Sequence, residues 1–245
     1  MLESRHQKIN IHDLKYKEIA IIGFGKEWQS TLSFLEEVSC RDITIHDKNP
    51  DLITDTYPCV IGESYLNDLE KYDLIFLSPG VSQYNPKLIK VQDKITNQTQ
   101  VFFDVYKSKT IAITGTKGKS TTSSLIYDFL KHAWYKVLLV GNIGKPVLEE
   151  IDILDSSPQY DFVIYELSSY MLEKLKKKNF LSVLLNIYPD HLDWHDGYEN
   201  YKNTKLSILK WSTHQLIWSQ VAEIASWEET QEFWLTWKYH YQEPY

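Results

Sequence analysis

The run Thr114-Gly115-Thr116-Lys117-Gly118-Lys119-Ser120-Thr121 is the part of this chain whose residue types and spacing most directly imply chemistry. Its glycines let backbone N–H groups turn toward a phosphate, and a helix starting there adds the partial positive charge of its N-terminus. Lys119 would reach the β- and γ-phosphates of a nucleotide, and the Ser120 hydroxyl would meet Mg²⁺. The spacing is shorter than the common G-x-x-x-x-G-K-[ST] loop, whose first glycine would fall on Ile113. Glu166 closes the apolar stretch 162–166. At the end of a buried strand its carboxylate projects from the carboxyl edge of the sheet, where it could share that Mg²⁺ as a hard oxygen ligand. A second glycine turn, Gly23-Phe24-Gly25-Lys26-Glu27-Trp28, follows the apolar residues 19–22 and suits a diphosphate. Asp47 stands where an acidic side chain would meet a ribose or base. An NAD site is the competing reading of this turn, and the ATP-type loop further along argues against it.

Positioning these groups takes strands that end where the groups begin. Residues 19–22, 43–46 and 74–77 read as buried strands, with a helix between the first two carrying Leu32, Phe34, Leu35 and Val38 inward. The third ends at Ser78-Pro79-Gly80, a sharp turn. Near residue 107 the pattern restarts with a strand over 110–114, a helix over 120–131, and strands over 136–140, 162–166 and 182–186. Strands alternating with helices give an α/β fold with parallel sheets. The expected organisation is a polar extension over 1–17, a Rossmann-like parallel-sheet domain over 18–107, and a phosphate-loop domain over 108–210. A Trp-rich tail over 211–245 is expected to be helical, because Trp211/Trp218 and Trp227/Trp234 are seven residues apart.

Composition removes several function classes. With 26 basic and 33 acidic residues the net charge is −7, so neither nucleic acid nor an anionic membrane is attracted non-specifically. No run approaches the ~18 apolar residues of a membrane span, the N-terminal residues lack the apolar core of a signal peptide, and the two cysteines, Cys40 and Cys59, suit a reducing compartment. The expected setting is the cytoplasm. Nine glycines are about half the usual share of ~7%, while tryptophans number eight. Trp28, Trp134 and Trp237 stand where turn chemistry or motif spacing calls for glycine, which suggests codons that the source organism reads as glycine.

The short form G-T-x-G-K-[ST] resembles the phosphate loop of the Mur ligase family and its folylpolyglutamate synthetase relatives. More motifs follow in that family's order. Gly141-Asn142-Ile143-Gly144 is similar to its G-N-I-G turn, and Glu166-Leu167-Ser168-Ser169 to its E-L-S-S segment. Asn186-Ile187-Tyr188-Pro189-Asp190-His191-Leu192-Asp193 is similar to N-I-x-x-D-H-L-D, and Tyr201 with Lys205 to Y-x-x-x-K. Over residues 18 to about 210, the resemblance implies an ATP-dependent ligase of peptidoglycan precursor synthesis with a partial central domain, using ATP and Mg²⁺. It implies that Gly115, Thr116, Lys117, Gly118, Lys119, Ser120 and Thr121 bind ATP and that Ser120 and Glu166 hold Mg²⁺. It also implies that His191 contacts a second metal ion together with Lys205, whose amine is carbamylated by CO₂. Lys119, His191 and Lys205 would be the catalytic set, and Asn142 would position the muramoyl substrate. The first turn together with Ser78-Pro79-Gly80-Val81 is similar to the UDP-sugar domain of the D-glutamate-adding members. Gly23, Gly25, Asp47, Ser78, Pro79 and Gly80 would accordingly hold UDP-N-acetylmuramoyl-L-alanine, and D-glutamate would supply the amine. The family's third domain, which binds the amino acid, lies beyond the resemblance. Two alternatives therefore stay open: a nucleotide- and UDP-sugar-binding remnant without turnover, or one part of a split ligase completed by a separate chain.

Overall fold

The computed structural model describes residues 9–221 apart from 24, 26, 53, 55, 107–108, 144, 153–157, 174, 176–178, 211 and 219–220. Two five-stranded sheets, each wholly parallel, carry the architecture. The first contains β1 (Ile19–Ile22), β2 (Ile43–Asp47), β3 (Cys59–Ile61), β4 (Leu74–Leu77) and β5 (Ile95–Thr96) in the order β3-β2-β1-β4-β5. The second contains β6 (Lys109–Thr114), β7 (Val137–Gly141), β8 (Phe162–Glu166), β9 (Asn179–Leu184) and β10 (Ser212–Ile217) in the order β10-β9-β6-β8-β7. In the first sheet β1 lies between β2 and β4, so successive connections leave it on opposite sides and open a crevice at its carboxyl end. All four residues of β1 are buried, as expected for a parallel strand covered on both faces.

Eight helices pack around the sheets among the described residues: α1 (Ile11–Leu14), α2 (Trp28–Glu37), α3 (Pro86–Ile89), α4 (Gln98–Val105), α5 (Lys119–His132), α6 (Ser169–Leu172), α7 (Leu192–His195) and α8 (Tyr198–Lys210). α8 buries Tyr201, Thr204, Lys205, Ile208 and Leu209, a 3.6-residue stripe that turns one lysine inward. α4 joins the two units. Asn97 caps it through the Gln100 N–H, Phe102 meets Tyr165 of β8 edge-on with ring centres 5.2 Å apart, and Phe103 stacks on the same ring. Each such aromatic pair adds about 0.5–1.5 kcal/mol beyond area burial. One core cluster therefore runs from Phe34 and Phe76 of the first unit through Phe102 to Val140 and Leu184 of the second.

Two expectations change. Ser212–Ile217, expected within a helical tail, forms β10 and pairs in parallel with β9, and the Trp218 N–H donates to the Leu184 carbonyl. The open edge of β9 offers backbone hydrogen bonds that a weak seven-residue spacing cannot outweigh. The strand expected over 182–186 runs Asn179–Leu184, which leaves Asn186 free for the loop described below. Trp211, Trp227, Trp234 and Trp237 lie outside the described residues, as do Phe24, Lys26 and Gly144 of the quoted turns. Trp134 behaves as its turn demanded. Its φ is +66°, its N–H donates to Lys131 and that of Tyr135 to Leu130, which closes α5 with a left-handed residue that is 95% exposed. Trp28 instead starts α2 and packs, partly buried, against the core.

Candidate functional site

In the second unit the loop after β6 is clamped by the segment after β9. Asn186 accepts from the Lys117 N–H at 2.8 Å through its side chain, donates back to the Lys117 carbonyl, and accepts from the Thr116 N–H through its own carbonyl. The Thr116 hydroxyl meets the Tyr201 hydroxyl at 2.8 Å and accepts from the Tyr188 N–H. Gly118 takes φ +84° at the start of α5, a conformation that a side chain would strain. Lys119, Ser120 and Thr121 thus open a fourteen-residue helix whose first N–H groups point to one place, with Ser120 and Thr121 exposed there.

Two lysines converge on one carbonyl of this loop. Lys119 Nζ donates to the Gly115 oxygen at 2.9 Å and to Thr116 at 3.1 Å, while Lys205 Nζ reaches the same Gly115 oxygen at 3.1 Å and Thr114 Oγ1 at 3.3 Å. Lys205 is 2% exposed. Burial, with the charge of Lys119 adding to it, pushes its amine down to about 7, against a smaller opposing pull from Asp190. Lys119 is also lowered by burial, partly offset by Glu166 and Asp190. A pocket that crowds two ammonium groups is made for an anion. Glu166 ends β8, fully buried; Oε1 accepts from Asn142 Nδ2 at 3.0 Å, and Oε2 has no partner. That oxygen fits a hard cation such as Mg²⁺, whose other donor here would be the Ser120 hydroxyl. The His191 side chain is 49% exposed, beside Asp190 and the Tyr170 ring. Among the described residues no group of three His, Cys, Asp or Glu is disposed to hold a metal. As an amine, Lys205 offers a metal no oxygen.

In the first unit a cleft of about 1000 Å³ opens at the carboxyl ends of β1, β2 and β4. Gly23, Gly25, Asp47, Ser78, Pro79 and Gly80 all line it. Gly23, at φ +91°, lies so close to β4 that a Cβ would sit 2.9 Å from Ser78 Cβ, and its carbonyl accepts from the Ser78 hydroxyl at 2.6 Å. Asp47 accepts from the Asn49 N–H. Sequence reasoning missed Tyr65, Tyr84 and, from the second unit, Asp196 among the lining residues, and gave no role of their own to Glu27 and Asp193, which stood only as members of quoted motifs. Asp193 lies in the first turn of α7 and Asp196 caps its C-terminus, so the cleft is bounded by both units. Burial pushes Glu27 up to about 7, so near neutral pH it carries its proton about half the time beside the α2 N-terminus. His195, also missed, is fully buried. Its Nε2 meets the Ser169 hydroxyl at 2.9 Å, its ring stacks on Tyr170, and burial lowers it to about 4, which keeps it neutral. Its only signal in the sequence was its place shortly after the D-H-L-D motif.

Residues 113–239 match the model of the Mur ligase middle domain. Over 212 residues the chain is 32% identical to the UDP-N-acetylmuramoylalanine–D-glutamate ligase of Acetivibrio thermocellus, covering 82% of this chain and 45% of that protein. It is 32% identical over the same length to the equally named protein of Clostridium kluyveri, covering 46% of it. The chain thus spans about half the length of the curated relatives it matches. Among solved structures, the MurF ligase of Thermotoga maritima in complex with ADP is similar at a TM-score of 0.42 and 15% identity, over 91% of this chain and 48% of that one.

Proposed function

The chain belongs to the Mur ligase family, and from that premise we propose that its two units are the UDP-sugar-binding and ATP-binding parts of a ligase joining D-glutamate to UDP-N-acetylmuramoyl-L-alanine. The proposed limits are 18–107 for the first unit and 108 to at least 217 for the second, which takes in β10 beyond the expected end at 210, in a cytoplasmic setting. Among the described residues no helix is long and apolar enough to cross a membrane. The observation that carries the reading is the meeting of Lys119 and Lys205 on the Gly115 carbonyl, at the mouth of a helix-opening glycine loop.

In the proposed reaction the substrate carboxylate attacks the γ-phosphorus of ATP and releases ADP. The amine of D-glutamate then attacks the acyl phosphate, loses a proton, and expels inorganic phosphate as the amide forms. Backbone N–H groups at the start of α5, from Gly118 to Thr121, hold the phosphates, those of Thr116 and Lys117 being taken by Asn186, and Lys119, freed from the loop carbonyls, neutralises charge on the transferring group. Mg²⁺, held by Ser120 and the unpartnered oxygen of Glu166, would add further charge neutralisation there. Near neutral pH much of Lys205 is the free amine that CO₂ can capture, which supports its proposed carbamylation and, through the new oxygens, a metal role shared with His191. Asn142 orients Glu166 through its amide and stands ready for the muramoyl substrate. In the first unit the N–H groups at the start of α2 face the diphosphate, and Asp47 the uridine ribose or base.

The test is calorimetric titration with ADP and with UDP-N-acetylmuramoyl-L-alanine, followed by phosphate release with ATP and D-glutamate. Lys119→Ala should abolish nucleotide binding and spare the UDP ligand; unchanged ADP affinity would refute the loop assignment. Binding of both ligands without phosphate release would limit the chain to the two binding functions.

A further inference from the structure

Between the cleft and the phosphate loop lies a polar seam, and one carboxylate joins its two sides. Glu173 follows α6 and its side chain is 11% exposed. On the first-unit side Oε1 accepts from the Tyr84 hydroxyl at 2.7 Å and from Gln83 Nε2, both in the segment 82–85 that contributes Ser82, Tyr84 and Asn85 to the cleft wall. On the second-unit side Oε2 accepts from Thr204 Oγ1 at 2.6 Å, one residue before Lys205 on α8. The same helix touches the phosphate loop through the Tyr201 hydroxyl on Thr116 and through Lys205 on Gly115. Ser82 Oγ adds a further tie across the seam, donating to the Trp194 carbonyl at 2.7 Å.

A carboxylate only accepts, and three side-chain donors from two units converge on this one. Hydrogen bonds to an ionised acceptor are stronger than neutral ones, and removing one donor leaves a mostly buried charge under-solvated, so the contacts support one another. We propose that Glu173 is a positioning residue that couples the two binding sites, transmitting the placement of segment 82–85 by a cleft ligand to α8 and through it to Gly115 and Thr116. The coupling part rests on the proposed function, since it takes the cleft as the UDP-sugar site and the loop as the nucleotide site. The strut itself does not.

Two measurements decide it. The first uses no ligand: urea unfolding of Tyr84→Phe, Thr204→Val and their double variant, in the wild-type and Glu173→Gln backgrounds. Non-additivity of about threefold or more in the folding equilibrium is expected with Glu173 present, and additivity in the Glu173→Gln background, which lacks that charge. Additivity in both backgrounds would overturn the strut. The second is calorimetric titration of UDP-N-acetylmuramoyl-L-alanine with and without saturating Mg-ADP. Wild type should show a coupling factor of about five or more, and Glu173→Gln a factor near one, with its affinity for ADP alone held within about twofold. Should Glu173→Gln fail to fold, Tyr84→Phe, which removes a single hydroxyl, should lower the coupling factor in the same direction. An unchanged factor overturns the coupling while leaving the functional reading intact. Wild type that binds neither probe refutes the functional reading and the coupling together, while the unfolding cycle still judges the strut.

Discussion

Replacing Lys205 by Met should stabilise this protein at neutral pH and remove a slope from its pH–stability curve. Lys205 is 2% exposed and its amine is lowered from 10.5 to about 7. At about 1.4 kcal/mol per pH unit of displacement, the ammonium form is on the order of 5 kcal/mol less favourable in the folded than in the unfolded chain. Between pH 7 and 10.5 the unfolded chain binds the proton that the folded chain has released, so stability rises with pH across that window and is flat below it. The cost is on the order of 4 kcal/mol at pH 7 and about 2 kcal/mol at pH 9. Met fills a similar volume and orphans neither partner. Thr114 Oγ1 keeps its donation to the Leu167 carbonyl, and the Gly115 oxygen keeps Lys119. After loss of the two Lys205 hydrogen bonds, a net gain of about 1–3 kcal/mol at pH 7 remains, vanishing near pH 9. Urea unfolding followed by tryptophan fluorescence, at pH 6, 7, 8 and 9 in CO₂-free buffer, reads this directly. A difference that stays constant across that range, or a Met variant less stable than wild type at pH 6, would refute the account of a destabilised buried ammonium.

Three further outcomes follow from other residues. Glu27, raised to about 7, is mostly ionised above that pH beside the diphosphate position, so affinity for the UDP ligand should fall about tenfold between pH 6 and 8. Calorimetry on Glu27→Gln should find that dependence gone, and the same slope in the variant would show that another group titrates. Its stability contribution has the opposite sense to that of Lys205: the folded chain keeps the proton longer, so stability falls as pH rises from 4.5 to about 7. Glu166→Gln preserves an acceptor for Asn142 but removes the anionic oxygen, so the gain in ADP affinity on adding Mg²⁺ should drop about tenfold in equilibrium dialysis; a full Mg²⁺ response would exclude Glu166 as a ligand. Trp134→Gly relieves a left-handed residue at a cost of roughly 1–2 kcal/mol, less about 0.5–1 for the freer unfolded glycine. The expected rise in Tm is about 1–4 °C, with none for Trp134→Ala; equal behaviour of the two variants would sink the argument. If the codon is read as glycine, mass spectrometry of the protein from its native source should find glycine at 134.

Local pattern settled a large part of this protein. The runs 19–22, 43–46, 74–77 and 162–166 are strands because short, mostly apolar stretches between turn signals leave little alternative. The glycine loop before α5 and the left-handed turn at Trp134 are equally local, fixed by which residues tolerate a positive φ. Sequence did not place β10, because a strand added to an open edge is selected by its partner rather than by its own periodicity. Nor did it reveal Glu173, Tyr84 or His195, which meet only because parallel strands return every connection to the same edge of each sheet. Lys205 shows the division most clearly. The spacing of α8 dictates that residue 205 faces inward with 201, 204, 208 and 209, whereas docking against a loop ninety residues earlier in the chain puts its amine on Gly115, beside a second lysine. Helix periodicity acts over a few residues and can be read in order. Desolvation and the approach of like charges depend on which distant segments share a volume, and only the tertiary structure decides that.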